Sequence, residues 1–455
     1  MASLTRISKI ASQKSFILKQ ASGASLYRFF ASAASGSPSS YKVVVIGGGA
    51  GGLSVASTLS EKLGSGEVAV VEPSPVHNQQ PLWTFVGAGI KSMAETQRPT
   101  SELIPQGSVW IKEAAAEIDP DQNSVKLANG QKINYDYLVV AAGIKLDFEA
   151  VKGLSSAIGK NGVASNYSAD YVEKTWEYLQ NFKGGNAVFT MPSTPIKCAG
   201  APQKIAYLAE EYLREKGLRD KSNIVYNTGL GKIFAIDKYA EALTKVAESR
   251  GVKVNLFHDL VEVKPEERKA IFKITGSTPA GPVGETVEIP YDFLHVTPPM
   301  KAHEFLKNSK LSNGVGFVDV DQSTLRHTKY KNVYSLGDCS SLPTSKTAAA
   351  VAAQSGVVKD NLLANINGVE TPTSTYNGYT SCPLITGKNK LILAEFSGYT
   401  GKPLETFAFD QSKENPFSYW LTSSVIPNIY WNSFLSGSWR GPGPFRRFLN
   451  PGDSN

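Results

Sequence analysis

Residues 41–52 read YKVVVIGGGAGG, and this stretch decides the fold. Lys42 to Ile46 is mostly β-branched and apolar, the composition of a parallel strand buried on both faces. It runs into Gly47, Gly49 and Gly52, spaced G-x-G-x-x-G, and then into a helix-like run from Leu53 to Lys62. Gly47 permits a tight turn, Gly49 lets the backbone approach a pyrophosphate, and Gly52 lets helix and strand pack closely. The helix N-terminus offers free N–H groups and partial positive charge to phosphates. A second strand, Val68 to Val71, ends at Glu72, 20 residues beyond Gly52, where a carboxylate binds adenosine ribose hydroxyls. Strand, glycine turn and helix in this order predict a dinucleotide-binding domain.

On the N-terminal side, residues 1–40 carry Arg6, Lys9, Lys14, Lys19 and Arg28 and no acid. This leader supplies five of the seven net positive charges, so the remaining chain is close to neutral and gives no reason to invoke nucleic acid. Ser- and Ala-rich, basic and free of acids, it reads as a mitochondrial transit peptide, with Arg28–Ser32 as a processing site. At 455 residues the chain holds two or three domains. No run of about 18 apolar residues predicts a spanning helix.

On the C-terminal side, Pro73 to Pro81 reads as a loop leading to Trp83 and the glycine-rich Val86–Gly89, a segment able to fold over a cofactor. His77 reads as a solvated surface group. Strands follow at Val109–Ile111 and Ser124–Leu127, with an Asn129-Gly130 hairpin turn before Lys132–Ile133. Another buried strand, Tyr137–Ala142, ends in Gly143. A second α/β unit begins near Gly184, with strands at Ala187–Met191 and Asn223–Asn227 and helices from about Pro202 and Lys238. Its first turn reads MPSTPIKCAG, with proline and cysteine where a nicotinamide cofactor needs glycines, so this domain is not expected to bind NAD(P)H. The chain then returns to the first domain, through a strand at Tyr291–Thr297 and the run Asn332–Gly337 into Asp338. Thr344–Gln354 reads as a helix whose first turn carries Lys346, placed to stabilise negative charge on a reduced flavin. Flavin binding explains the glycine signature, the LVVAAG strand and the Gly337-Asp338 return together.

Three cysteines in so long a chain do not form a disulfide scaffold. Cys198 stands just before a helix able to lower a thiol pKa, Cys382 lies far along the chain, and Cys339 reads as a packing residue inside a cofactor turn. The five histidines lack ligand spacing, so no metal site is expected. Residues 415–452 hold no acid, half of the six tryptophans and Arg440, Arg446 and Arg447. Pro427 is expected to divide this tail into two short amphipathic segments suited to a membrane interface.

Blocks across Tyr41–Arg447 resemble the mitochondrial sulfide:quinone oxidoreductases, a family of flavoproteins with two dinucleotide-binding domains. They are YKVVVIGGGAGG, VVEPSPVHNQQPLWTFVGAG, PIKCAGAPQKI, LHVTPPM, SLGDCSSLPTSKTAAAVAAQSG, YTSCPLITG and LETFAFDQSKE. The resemblance implies a redox pair at Cys198 and Cys382, and FAD contacts at Ala50, Gly51, Glu72, Gln80, Asp338 and Lys346, with Ala115 as a backbone contact near the adenine. It implies that hydrogen sulfide attacks Cys382 and leaves a persulfide there. Two electrons pass through FAD to ubiquinone, and the sulfur leaves on glutathione or sulfite. It places the protein monotopically on the mitochondrial inner membrane. The expected class is α/β, with two Rossmann-like domains and a C-terminal amphipathic membrane-attachment region. The divisions are leader, 1–40; FAD-binding domain, 41–150, with its return segment, 301–370; second Rossmann-like domain with one redox cysteine, 151–300; and C-terminal region with the other cysteine, 371–455. Two alternatives are a type II NADH:quinone dehydrogenase, which needs a glycine turn in the second domain, and a non-enzymatic flavin-stabilised interaction protein, which needs neither cysteine.

Overall fold

A computed structural model describes residues 39–449; the leader read as a transit peptide lies outside the described residues. The first sheet is built from β1 (Ser39–Ile46), which leads into helix α1 (Ala50–Leu63), then β2 (Val68–Val71), β3 (Val109–Ile111), β4 (Ala115–Asp119), β5 (Ser124–Leu127) and β6 (Lys132–Val140). Across the sheet the order is β3-β2-β1-β6-β5-β4. β1 pairs in parallel with both β2 and β6. Val43, Val44 and Val45 are wholly buried, as an apolar run in a central parallel strand requires. The Asn129-Gly130 turn joins β5 and β6 as an antiparallel hairpin. The segments read as separate strands at Lys132–Ile133 and Tyr137–Ala142 are one strand ending at Val140, whose first half pairs with β5.

Between β2 and β3, Val76–Asn78 pairs with Gln97–Pro99. Of the glycine-rich Val86–Gly89, Val86 and Gly87 end a short helix, Trp83–Gly87, and Ala88 and Gly89 follow it.

The second sheet contains β7 (Val163–Ala164), β8 (Gly185–Met191), then helix α2 (Ala201–Glu215), β9 (Ser222–Thr228), helix α3 (Asp237–Ser249), β10 (Lys253–Asn255) and β11 (Phe293–His295). Its order is β7-β11-β8-β9-β10, parallel throughout. The strand at Tyr291–Thr297 therefore does not return to the first domain. Phe293, Leu294 and His295 are all buried, so the segment needs cover on both faces, and β7 and β8 flank it. An apolar run states that need without naming the sheet. The return is made by β12 (Val333–Ser335), which pairs with the second half of β6.

Helix α4 (Ala348–Ile366) follows, then a hairpin of β13 (Tyr379–Gly387) and β14 (Lys390–Ser397). β13 packs against both α2 and α4, which places its residues between a helix of each α/β unit. The tail differs from expectation at Pro427. Residues 416–434 form one helical run, in which π turns at Leu421–Val425 and Tyr430–Phe434 flank Ile426–Ile429. Such widened turns absorb the ring and missing N–H of a proline without a break. A last helix covers Gly443–Leu449.

Candidate active site

Gly47 turns the chain from β1 into α1 at φ +102°, a conformation that favours glycine. The Gly47 N–H donates to the Val71 carbonyl at 2.9 Å, which fixes the loop to the end of β2. A methyl group at Gly52 would collide with the Gly47 carbonyl, whereas one at Gly49 would meet nothing within 4 Å. The loop therefore packs tightly at its base and leaves open space at Gly49, the cradle a pyrophosphate needs. No side chain caps α1, so the first-turn N–H groups of Ala50 and Gly51 face that space. The Glu72 carboxylate accepts from the Gly48 N–H and the Ser74 N–H, both at 2.7 Å. Ala115 opens β4 just after β3, whose Ile111 carbonyl accepts from the Glu72 N–H at 3.0 Å.

The floor of the cleft is a recess lined by Gly337, Asp338, Thr344, Lys346, Thr347, Val351 and Gln354. Gln354 accepts from the Gly337 N–H at 2.8 Å. Burial pushes the Asp338 carboxyl up, against the attraction of Lys346 and Lys197. Lys346 lies just ahead of α4 rather than in its first turn, because Thr347 is the N-cap and accepts from the Ala350 N–H. Its ammonium is not a solvated surface group: it donates to the Asp338 carbonyl at 2.7 Å and covers the Phe317 ring.

The cysteine loop is sewn to this recess. The Cys198 N–H donates to the Lys346 carbonyl at 2.8 Å. On β13, the Thr380 hydroxyl meets the Thr347 hydroxyl at 2.9 Å, two residues before Cys382. These two anchors bring together thiols 184 residues apart, with Sγ atoms separated by 3.9 Å. Gly200 makes the approach possible, since a methyl there would sit 2.5 Å from Cys382 Sγ and from the Leu384 side chain. Gln80 joins from the other side, accepting from Lys197 Nζ at 2.8 Å.

The two thiols are not equivalent. Cys198 is drawn below the ordinary cysteine pKa by its hydrogen bond with Cys382 and by the Lys204 ammonium. Cys382 is driven up by the same shared bond and by burial. Lys204 stands 3.6 Å from Cys198 Sγ; burial opposes its charge, yet the neighbouring sulfurs keep its pKa above the usual value. Cys198 is thus the thiolate of the pair and Cys382 the thiol. Cys339 is fully buried, and its pKa is raised by burial.

Two residues here were not singled out from sequence, and a third lies elsewhere than expected. Lys204 was legible in principle: a lysine in the first turn of a helix opposes the helix dipole and calls for an anion nearby. Tyr167, whose hydroxyl donates to the Cys198 carbonyl at 3.1 Å, lies 31 residues upstream and carries no such signal. His77, expected at the surface, is buried and bonds the Gly48 carbonyl at 3.0 Å.

A dithiol fastened to the recess beside a dinucleotide-binding loop, with a second domain lacking the nicotinamide fingerprint, defines the class: a two-dinucleotide-domain oxidoreductase that carries a close thiol pair. Residues 41–176 match the pyridine nucleotide-disulphide oxidoreductase family. The chain is 50% identical over 412 residues to the mitochondrial sulfide:quinone oxidoreductase of Mus musculus, covering 90% of each. It is 47% identical to that of Dictyostelium discoideum, over 88% of this chain and 87% of the relative. The structure superposes on the sulfide:quinone oxidoreductase of Aquifex aeolicus with a TM-score of 0.73, at 20% identity, covering 88% of this chain and 92% of that one. The chain belongs to the sulfide:quinone oxidoreductase family. Its cofactor is FAD, and the open space at Gly49 and the uncapped start of α1 fit a dinucleotide.

Proposed function

We propose that the protein oxidises hydrogen sulfide in the mitochondrion through Cys198 and Cys382 and delivers the electrons to ubiquinone. The observation that carries this reading is the 3.9 Å thiol pair with a buried lysine hydrogen-bonded to Cys198. In the working state the two sulfurs are bridged. Hydrosulfide attacks the Cys382 sulfur; a new S–S bond forms there, the bond to Cys198 breaks, and Cys198 leaves as a thiolate held by Lys204. Lys204 lowers the cost of that departure because a thiolate with a low pKa is the better leaving group. A small nucleophile, glutathione or sulfite, takes the outer sulfur of the Cys382 persulfide and frees the Cys382 thiolate. The two thiolates then close the bridge again and surrender two electrons. FAD supplies the two-electron acceptor between the thiols and the quinone. Gly47, Gly49, Ala50, Gly51, Gly52, Glu72, Gln80, Ala115, Asp338 and Lys346 are the residues proposed to hold it.

The second domain argues against NADH as donor. Where a nicotinamide dinucleotide would lie on the turn after β8, the Asp259 carboxylate accepts from the Ser193 N–H and hydroxyl. An anion already occupies that turn.

Among the described residues no helix is long and apolar enough to cross a membrane. We place the tail at the surface of the inner membrane instead. Phe417, Trp420, Ile426, Phe445 and Phe448 are exposed, Phe448 by 83%. Aromatic rings with Arg447 among them suit the headgroup boundary.

The test is anaerobic reduction of the purified protein. Sulfide alone is expected to bleach the flavin band and, with a ubiquinone analogue, to turn over; NADH is expected to do neither. Cys198→Ala and Cys382→Ala are expected to abolish bleaching by sulfide while retaining FAD. Bleaching by NADH with indifference to sulfide would overturn the assignment.

A further inference from the structure

We infer that the C-terminal aromatic segment is part of the machinery that retains FAD, with His77 relaying its position to the glycine loop. The His77 Nδ1–H donates to the Gly48 carbonyl at 3.0 Å, and His77 Nε2 accepts from the Tyr430 hydroxyl at 2.7 Å. These two bonds define one neutral tautomer. The opposite end of the Gly48 residue, its N–H, donates to Glu72. Gly48 is therefore held from β2 on one side and from the tail, through a single buried imidazole, on the other. Its neighbours Gly47 and Gly49 are the turn and the open cradle of the loop.

The rest of the contact runs in the same direction. Tyr430, Phe434 and Leu435 pack on Leu53 of α1 and Ala352 of α4, with Ala50 and Val351 at the margin of the cluster. Ala50 and Leu53 lie in the first turn of α1, and Val351 and Ala352 are the fourth and fifth residues of α4. Trp431 sets its edge against His77 at 5.7 Å and lies under the Arg98 guanidinium at 4.4 Å. Arg98 is paired with His77 across the Val76–Asn78 and Gln97–Pro99 strands. Farther along, buried Lys359 of α4 donates to the Gly437 carbonyl at 2.6 Å, and Ser57 of α1 donates to the Ser436 carbonyl at 3.0 Å. The same segment exposes Phe417 and Trp420.

Cofactor binding and seating of the tail are thus two ends of one equilibrium. Whatever tail docking adds to FAD affinity, FAD must add to tail docking by the same factor. Loss of one buried hydrogen bond that leaves an imidazole nitrogen unpaired is expected to change that equilibrium by on the order of tenfold. The proposal rests on reading Gly47–Gly52 as the pyrophosphate loop.

The experiment follows free-flavin fluorescence after dilution of the detergent-purified holoenzyme. Tyr430→Phe removes one oxygen and keeps the ring packing; it is expected to release FAD about tenfold faster than the parent. His77→Gln is expected to do the same, and the double variant to be no faster than the faster single one, because both remove one shared path. Ser424→Ala, exposed on the same helical run, is expected to behave as the parent. In the reverse direction, stripping FAD from the parent is expected to raise proteolytic cleavage at the 436–442 turn about tenfold, and FAD is expected to protect Tyr430→Phe far less. Parent-like release from Tyr430→Phe and His77→Gln, or rates that simply multiply in the double variant, would overturn the latch. A Gly49→Leu arm separates the underlying reading: it should lose FAD outright. Retention of FAD there would overturn the loop assignment and the proposal with it.

Discussion

Lys204 Nζ lies 3.6 Å from Cys198 Sγ, at the one end of α2 where the helix dipole disfavours a cation. A buried ammonium in such a place is stable only beside negative charge. The Lys204 ammonium acts on both sulfurs but hydrogen-bonds only Cys198, which assigns the thiolate to Cys198 and supports the proposal that hydrosulfide attacks Cys382.

Replacing Lys204 by methionine keeps length and apolar volume and removes the charge. An opposite charge at this range shifts a pKa by about one to three units. The Cys198 pKa is depressed in the parent, so the thiolate is present at neutral pH and Lys204→Met must move its titration upward. Iodoacetamide alkylation of the reduced protein against pH, read at the Cys198 peptide by mass spectrometry, measures that midpoint. An unchanged midpoint would assign the depression to the Cys382 hydrogen bond alone.

Cys198 sits at φ +51°, a left-handed conformation that costs a non-glycine residue about 1 kcal/mol or more. Its N–H is held by the Lys346 carbonyl and its carbonyl by the Tyr167 hydroxyl and the Ala201 N–H. Tyr167→Phe releases one of these restraints without emptying the buried site. Turnover with sulfide is expected to fall about tenfold, since small misplacement of a reacting group is costly. The melting temperature should move by only a few degrees. Equal loss of quinone affinity would show that the tyrosine supports the fold generally and not the cysteine.

How much of this was legible in the sequence follows from the range of the interactions. YKVVVIGGGAGG is local: strand, turn and helix are adjacent in the chain, so spacing alone specified them. The dithiol is not local. Cys198 and Cys382 meet because Lys346 and Thr347 anchor both flanking segments, and no pattern within either segment encodes that meeting. The resemblance named the pair; the packing of β13 on α2 explains it. His77 was misread for the same reason. Its partners, Gly48 and Tyr430, are 29 and 353 residues away, and a histidine in a polar loop looks solvated until both are present. Phe293–His295 shows the complementary limit: burial was readable, but the choice of sheet belongs to topology.

Gly200→Ala tests the thiol approach by sterics. The added methyl would stand 2.5 Å from both Cys382 Sγ and the Leu384 side chain, closer than real carbon contacts allow. Relief requires the Cys382 and Leu384 side chains to shift, at a cost of about 1–3 kcal/mol. Sulfide-dependent turnover is expected to drop at least a hundredfold, a rough figure for a misaligned reacting pair, while FAD content stays at the parent level. Counting thiols with a colorimetric disulfide reagent after oxidation should show two reactive thiols where the bridged parent shows none at the pair. A bridged, active Gly200→Ala protein would mean that the cysteines close by a route the packing does not require.

His295 gives the protein a pH dependence of stability separate from catalysis. It is fully buried on β11, its Nε2 accepts from the Asn166 N–H at 3.0 Å, and burial holds its pKa down to about 3. In the unfolded chain a histidine titrates near 6.5. Above that value both states are neutral and the contribution to stability is complete. As pH falls from about 6.5 toward 3, the unfolded state takes up a proton that the folded state refuses. Stability then declines by up to about 1.4 kcal/mol per pH unit from this group. His295→Gln keeps an acceptor for the Asn166 N–H and removes the titration. Urea unfolding of the holoenzyme between pH 7 and pH 4.5 should show a shallower loss for the variant than for the parent. The variant should be less stable at pH 7, where the imidazole packs against Phe189, and the two curves should converge as the pH falls. Parallel curves across the range would place the acid sensitivity elsewhere in the fold.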